Sequence, residues 1–249
     1  MDEYGEGDHM KNNAVHEHYK HYTTTMIRRL DGFFGKVDER MNQRIAAWVY
    51  GERVLEIGCG FGQLVEYLRK KGFEATGIDQ LESWLNEGRV KFPDADLRLA
   101  YSEKLDFPDH SIHTVILKDT FHHIYSESDV RNFMIEVRRV CQNRIIIFDP
   151  NTTFIVLFSR KLIRHVDPTC SLEQAEDILQ QHDFKITHKG YGDVLAFPLS
   201  GGFVGTPFVP KLLGPLVLLL DQILEVIIRF LRMDKLFCWR YIIVADKSG

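Results

Sequence analysis

VLEIGCGFG, residues 54–62, is a short apolar run that stops in three alternating glycines, Gly58, Gly60 and Gly62. With Arg53 it reads as a strand over 53–57, and the helical pattern that follows runs to Lys71. The unit is therefore strand, glycine turn, helix. Upstream, Val37, Met41, Ile45 and Trp48 recur at three- and four-residue spacings, as on one face of a helix. Downstream the alternation repeats. Strands are expected at 73–79, 96–100, 113–118, 143–148, 185–190 and 237–245. Helices are expected at 81–91, 128–140 and 171–181, the last opened by Thr169 or Ser171 as its cap. Strands alternating with helices of this length predict an α/β fold with a mostly parallel sheet covered on both faces.

The whole chain agrees with that class. Its 249 residues are room for one α/β domain, or one domain with an insertion. Hydrophobic residues at 45% and charged residues at 27% exclude a disordered chain, a collagen-like repeat and a polytopic membrane protein. A net charge of −4 gives no basic surplus for a nucleic-acid partner. Cys59, Cys141, Cys170 and Cys238 lie far apart without a CxxC pair, which suits reduced thiols. MDEYGEGDHMKNN, at the start, lacks the apolar stretch of a signal peptide, so a cytoplasmic protein is expected. The division expected is a tail and lid over 1–36 and a main domain over 37–249, with an apolar insertion at about 194–235.

The turn carries the first functional signal. Glycines let a ligand approach the backbone, and the helix behind offers unpaired N–H groups. A dinucleotide fingerprint needs its third glycine one position later than Gly62, so a nicotinamide enzyme is disfavoured. Glu56, just before the turn, disfavours a pyrophosphate and suits a ligand with a cationic amino group. Asp79 ends the second strand, where an acid can accept both ribose hydroxyls of a nucleoside.

VLEIGCGFG (54–62), GID (77–79) and SEKLDFPDHSIHTVILKDTFHHI (102–124) together resemble class I S-adenosylmethionine-dependent methyltransferases of the broad "methyltransferase 11" type. The resemblance covers about residues 37–189. It implies a Rossmann-like three-layer sandwich whose seven-stranded sheet ends in an antiparallel strand, with a helical insertion before it. It also implies S-adenosylmethionine over the carboxyl ends of the first strands, leaving S-adenosylhomocysteine as product. Glu56, Gly58, Cys59, Gly60 and Gly62 would line the methionine moiety, Asp79 and Gln80 the ribose, and Ser102 and Glu103 the adenine. Tyr101 stands where related sequences usually carry an acid for the adenine amino group. Lys118 would complete the cofactor set.

Methyl transfer from a sulfonium asks chiefly for alignment and exclusion of water. A base is needed only where the acceptor must lose a proton. Candidates cluster after the fourth strand, where the resemblance places the reactive methyl: Lys118, Asp119, His122 and His123. His122 is the expected pocket residue, with Asp119 beside it as a second catalytic candidate and His123 as a brace. The bland alternative makes both histidines structural. Asp149 either lines the pocket or caps the turn at Pro150-Asn151. His16, His18 and His21 form no metal set at this spacing, and no metal is expected. Tyr19 and Tyr22 are candidates for a lid over the cofactor.

Two apolar segments remain. Leu212–Leu231 has fourteen apolar side chains in twenty, but Asp221, Glu225 and Arg229 interrupt it in a narrow stripe. Those charges argue against a bilayer crossing. FIVLFSRKLIRH, residues 154–165, joins an apolar run to Arg160, Lys161 and Arg164 without an acid. These segments form a lid, a homodimer surface, ordinary core, or a peripheral contact with the inner face of a membrane. The activity expected is methyl transfer to a small or lipid-like apolar acceptor. The alternatives are a soluble metabolite or natural-product acceptor, and a non-catalytic S-adenosylmethionine-binding partner protein.

Overall fold

A computed structural model describes residues 28–102, 104–127, 129–162, 168–202 and 206–248. Seven strands form one sheet in the order β3-β2-β1-β4-β5-β7-β6. They are β1 (Arg53–Ile57), β2 (Glu74–Asp79), β3 (Asp96–Leu99), β4 (Ile112–Lys118), β5 (Cys141–Pro150), β6 (Phe184–Gly192) and β7 (Arg240–Lys247). Only β7 is antiparallel, to both β5 and β6. The expected architecture is therefore the observed one.

Alternation along the central strands builds a core on each face. Val115 and Leu117 of β4 with Ile145 and Ile147 of β5 face helices α5 (Val130–Val140) and α7 (Leu172–Gln181). Ile116, Ile146 and Phe148 face the other way, toward α1 (Phe33–Ala46) and α2 (Gln63–Lys70). Between them in the chain lie α3 (Glu82–Lys91), α4 (Phe121–Glu127) and α6 (Phe154–Leu162). Ser171 is the cap of α7: its hydroxyl accepts the Gln174 N–H, and the Ser171 N–H donates to the Gln174 side-chain oxygen at 2.8 Å.

α1 carries Val37, Met41 and Ile45 on its buried face, together with Phe33. Two boundaries differ from expectation for local reasons. Asp129 caps α5 by accepting the Arg131 and Asn132 amides, so a separate short helix, α4, precedes it. The last strand starts at Arg240, because residues 234–237 form a helical turn, α10 (Asp234–Phe237). The insertion between β6 and β7 holds α8 (Ala196–Leu199), a 3-10 turn (Lys211–Leu213) and α9 (Gly214–Phe230).

In α9 the polar stripe faces inward. Asp221 is fully buried and Glu225 nearly so. Arg40 of α1 donates to Asp193 at 2.8 Å and to Asp221, and Arg44 donates to Glu225 at 2.7 Å. Asp221 also accepts the amides of Val194, Leu195 and Ala196. Asp193, Asp221 and Glu225 lie close enough together to hold a metal, but two guanidiniums fill that place.

Candidate cofactor and acceptor site

Because β1 pairs with both β2 and β4, the connections after β1 and β4 leave on opposite faces of the sheet. A crevice opens at that switch point, outside the carboxyl ends of the strands. The Gly58–Gly62 turn forms one wall. Its Gly58 and Cys59 amides donate to the Ile78 carbonyl at 2.9 and 3.0 Å, pinning the turn to the end of β2. Gly58 has φ +73°, and a Cβ there would lie 2.4 Å from the Thr120 side chain. Gly60 has φ +55°, and a Cβ there would meet the Trp84 ring at 3.4 Å. That ring stacks on Phe61 with centroids 4.9 Å apart.

Asp79 ties the crevice together. Its Oδ2 accepts the Gly60 N–H at 2.8 Å and its Oδ1 accepts the Leu81 N–H at 2.8 Å. A carboxylate offers about four lone-pair sites, so Asp79 can hold the turn and a ribose hydroxyl at once. Gln80 beside it is exposed.

Glu56 lies at the bottom, fully enclosed, and its Oε2 has no hydrogen-bond partner among the described residues. Burial pushes its carboxyl up to about 8; the Lys118 charge opposes the rise, and Asp38 and Asp79 add to it. Lys118 turns toward α1, where Nζ donates to Asp38 at 2.6 Å and Asn42 at 2.7 Å. Lys118 therefore faces α1 and acts on Glu56 by charge. Asp38, Asn42, Trp84 and Thr120 are further candidate site residues that sequence reasoning missed. Asp38 and Asn42, four apart on α1, are the one legible signal: a polar pair on a helix whose other face is core.

The remaining cofactor candidates divide. The Cys59 side chain packs away from the crevice, close to Gly77, and burial raises its thiol well above the usual value. Tyr101 is exposed and Ser102 half-buried, on the loop after β3. Glu103 lies outside the described residues, as do His16, His18, His21, Tyr19 and Tyr22.

On the acceptor side, His122 and Asp149 form a buried pair. The His122 amide donates to Asp149 Oδ2 at 2.8 Å, and the ring Nδ1 lies 3.1 Å from both carboxylate oxygens. The carboxylate fixes the tautomer with Nδ1 protonated, which makes Nε2 the basic nitrogen. Asp149, not His123, is the brace; the His123 ring packs against that of His122 with centroids 4.2 Å apart. Asp119, in the left-handed region at φ 55°, accepts from Arg240, whose guanidinium lies 4.2 Å from the Phe197 ring centroid. That ion pair makes Asp119 a positioning group at the crevice edge.

Residues 55–148 match the family model described as a methyltransferase domain. Across that stretch the chain is similar to methyltransferase domains. A "SAM dependent methyltransferase" of Archaeoglobus fulgidus superimposes with a TM-score of 0.62 at 20% identity, over 86% of this chain and 94% of that one. Magnesium protoporphyrin IX methyltransferase of Synechocystis, solved with bound SAH, gives 0.55 at 15% identity, over 85% and 83%. A ubiquinone biosynthesis O-methyltransferase of Alkalilimnicola ehrlichii is 36% identical over 53 residues, 21% of this chain and 22% of that protein. The matches span 25–44% of the length of the first curated relatives. S-adenosylmethionine is the cofactor to which this similarity points. The residues present fit it: a buried carboxylate with one oxygen unpartnered among the described residues for the amino group, a glycine cradle under Trp84, and a strand-end aspartate for the ribose.

Proposed function

We propose that this chain transfers a methyl group to an apolar acceptor whose hydroxyl is deprotonated by His122. The observation that carries the proposal is the buried His122–Asp149 pair at the ends of β4 and β5, beside the cofactor crevice. S-adenosylmethionine, when bound, supplies an electrophilic methyl on a sulfonium. The protein has to align the acceptor with it, exclude water and hold one proton.

His122 Nε2 takes that proton, and Asp149 stabilises the imidazolium that results. Glu56 and Asp79 hold the two ends of the donor, while the pinned Gly58–Gly62 turn keeps the backbone close. Apolar character for the acceptor is supported by the side chains that crowd the same edge of the sheet. Phe154 and Phe158 of α6 and Leu236 and Phe237 of α10 are all exposed there. Similarity to a ubiquinone biosynthesis O-methyltransferase over 53 residues supports such an acceptor.

The test compares wild type with His122→Ala on extracted cell lipids and on water-soluble metabolites, reading transfer of labelled methyl. Label in a lipid product that His122→Ala fails to make supports the reading. Label only in water-soluble product favours the soluble-acceptor alternative. S-adenosylhomocysteine binding without any transfer favours a non-catalytic partner.

A further inference from the structure

We infer that α6, α9 and α10 form a docking face for an anionic membrane surface. The inference begins with the inversion of α9. A surface helix normally buries its apolar stripe and shows its charges. Here the acids Asp221 and Glu225 are buried against Arg40 and Arg44, so the wide apolar face points outward. Leu219 is 53% exposed, Ile223 48%, Val226 69% and Phe230 85%.

The patch extends beyond one helix. α10 packs against both α6 and α9, and α6 adds Phe154 at 81% exposure together with Leu157 and Phe158. A contiguous apolar surface of this kind marks an interaction site.

Charge selects the occupant. The exposed ionised groups of α6, α9, the turn after α9 and α10 are Lys161, Arg229, Arg232 and Lys235, the last paired with Glu173 of α7; the one acid not buried among the described side chains of these elements, Asp234, is half-buried. This cationic rim stands on a protein of net charge −4. A second copy related by a two-fold axis would present the same cations and no counter-charge. Anionic lipid headgroups supply that counter-charge, and their acyl region receives the apolar side chains. Among the described residues no helix is long and apolar enough to cross a membrane, so the contact is peripheral.

Position gives the face its purpose. Gly192 of β6 and Pro150 of β5 both register with Arg240 of β7, so α6, α8, α9 and α10 all leave from one edge of the sheet. That is the carboxyl edge, where the crevice opens. Docking through this face would set the acceptor side of the domain against the lipid surface.

Flotation of the full chain with phosphatidylcholine vesicles, with and without phosphatidylglycerol, tests the inference without needing turnover. Wild type should float with the anionic vesicles only. Two variants should each float at least about tenfold less: Leu219→Ser with Ile223→Ser and Ile227→Ser, and Lys161→Glu with Arg229→Glu and Arg232→Glu. All six side chains are exposed, so thermal melting and S-adenosylhomocysteine affinity should stay as in wild type. Wild type that stays with the unbound fraction would overturn the inference, as would serine variants that float unchanged. A dimer by light scattering that the serine changes convert to monomer, without vesicle binding, would assign the face to a second copy and also overturn it.

Discussion

Asp79 at the end of β2 reaches across the crevice to accept the Gly60 N–H at 2.8 Å, so the acid proposed for the ribose also sets the glycine turn. One substitution should therefore remove two things. Asp79→Ala loses the ribose contacts and frees the turn; each charge-assisted bond is worth roughly 1.5–3 kcal/mol. The dissociation constant for S-adenosylhomocysteine should rise on the order of a hundredfold or more by calorimetry. Gly60→Val should do the same by a different route, since valine resists φ +55° and its side chain would press on Trp84. Full affinity in both variants would mean that the crevice is elsewhere.

Glu56 makes the same event depend on pH. Its carboxyl is raised from 4.5 to about 8 by burial, so near neutrality the empty protein holds it mainly protonated. Its contribution to stability is complete below about 4.5 and is lost as pH rises toward 8, because only the unfolded chain gives up the proton in that window. A cationic amino group arriving beside it reverses the preference and expels the proton. Calorimetry at pH 7 in buffers of different ionisation enthalpy should show proton release on cofactor binding. Glu56→Gln should abolish that release and flatten the stability profile between pH 5 and 8.

The His122–Asp149 pair predicts a split between binding and turnover. His122→Ala should lower kcat by about 10²–10⁴-fold while S-adenosylhomocysteine affinity stays near wild type. Asp149→Asn removes the carboxylate that fixes the tautomer, and kcat should fall while S-adenosylhomocysteine affinity stays near wild type. If both variants turn over as wild type, the histidines are structural.

Arg40 joins α1 to the insertion by holding Asp193 and Asp221 in a dry site. Arg40→Met leaves those carboxylates buried without their cation and should cost about 3–5 kcal/mol of stability, read by chemical denaturation. Only acid below the ordinary aspartate value of 3.8 should loosen the same joint. Burial alone would raise Asp221, but Arg40 and the Leu195 and Ala196 amides outweigh it and hold the carboxyl below its ordinary value. Its contribution is present above that ordinary value and is lost as pH falls through the depressed one.

What could be read from the sequence follows from the range of the interactions. Val54–Gly62 and the alternating elements after it are local patterns, so a mostly parallel sheet and Asp79 were legible from the residues, while the antiparallel last strand and the place of the crevice came from the family resemblance. The His122–Asp149 pair joins residues 27 apart, Lys118–Asp38 80 apart and Arg44–Glu225 181 apart. Such contacts exist only once β4 lies beside β5 and α1 beside α9. The stripe of Asp221 and Glu225 was visible, yet its direction was not. It points inward because Arg40 and Arg44, one turn apart on α1, wait there with opposite charge.

The measurement that tests the central claim most directly follows the methyl group itself. Methyl-labelled S-adenosylmethionine is incubated with the protein and a cell extract, then partitioned between organic solvent and water. The account predicts label in the organic phase that is absent with Asp79→Ala and strongly reduced with His122→Ala. Label confined to the aqueous product, or transfer that ignores both substitutions, would contradict it.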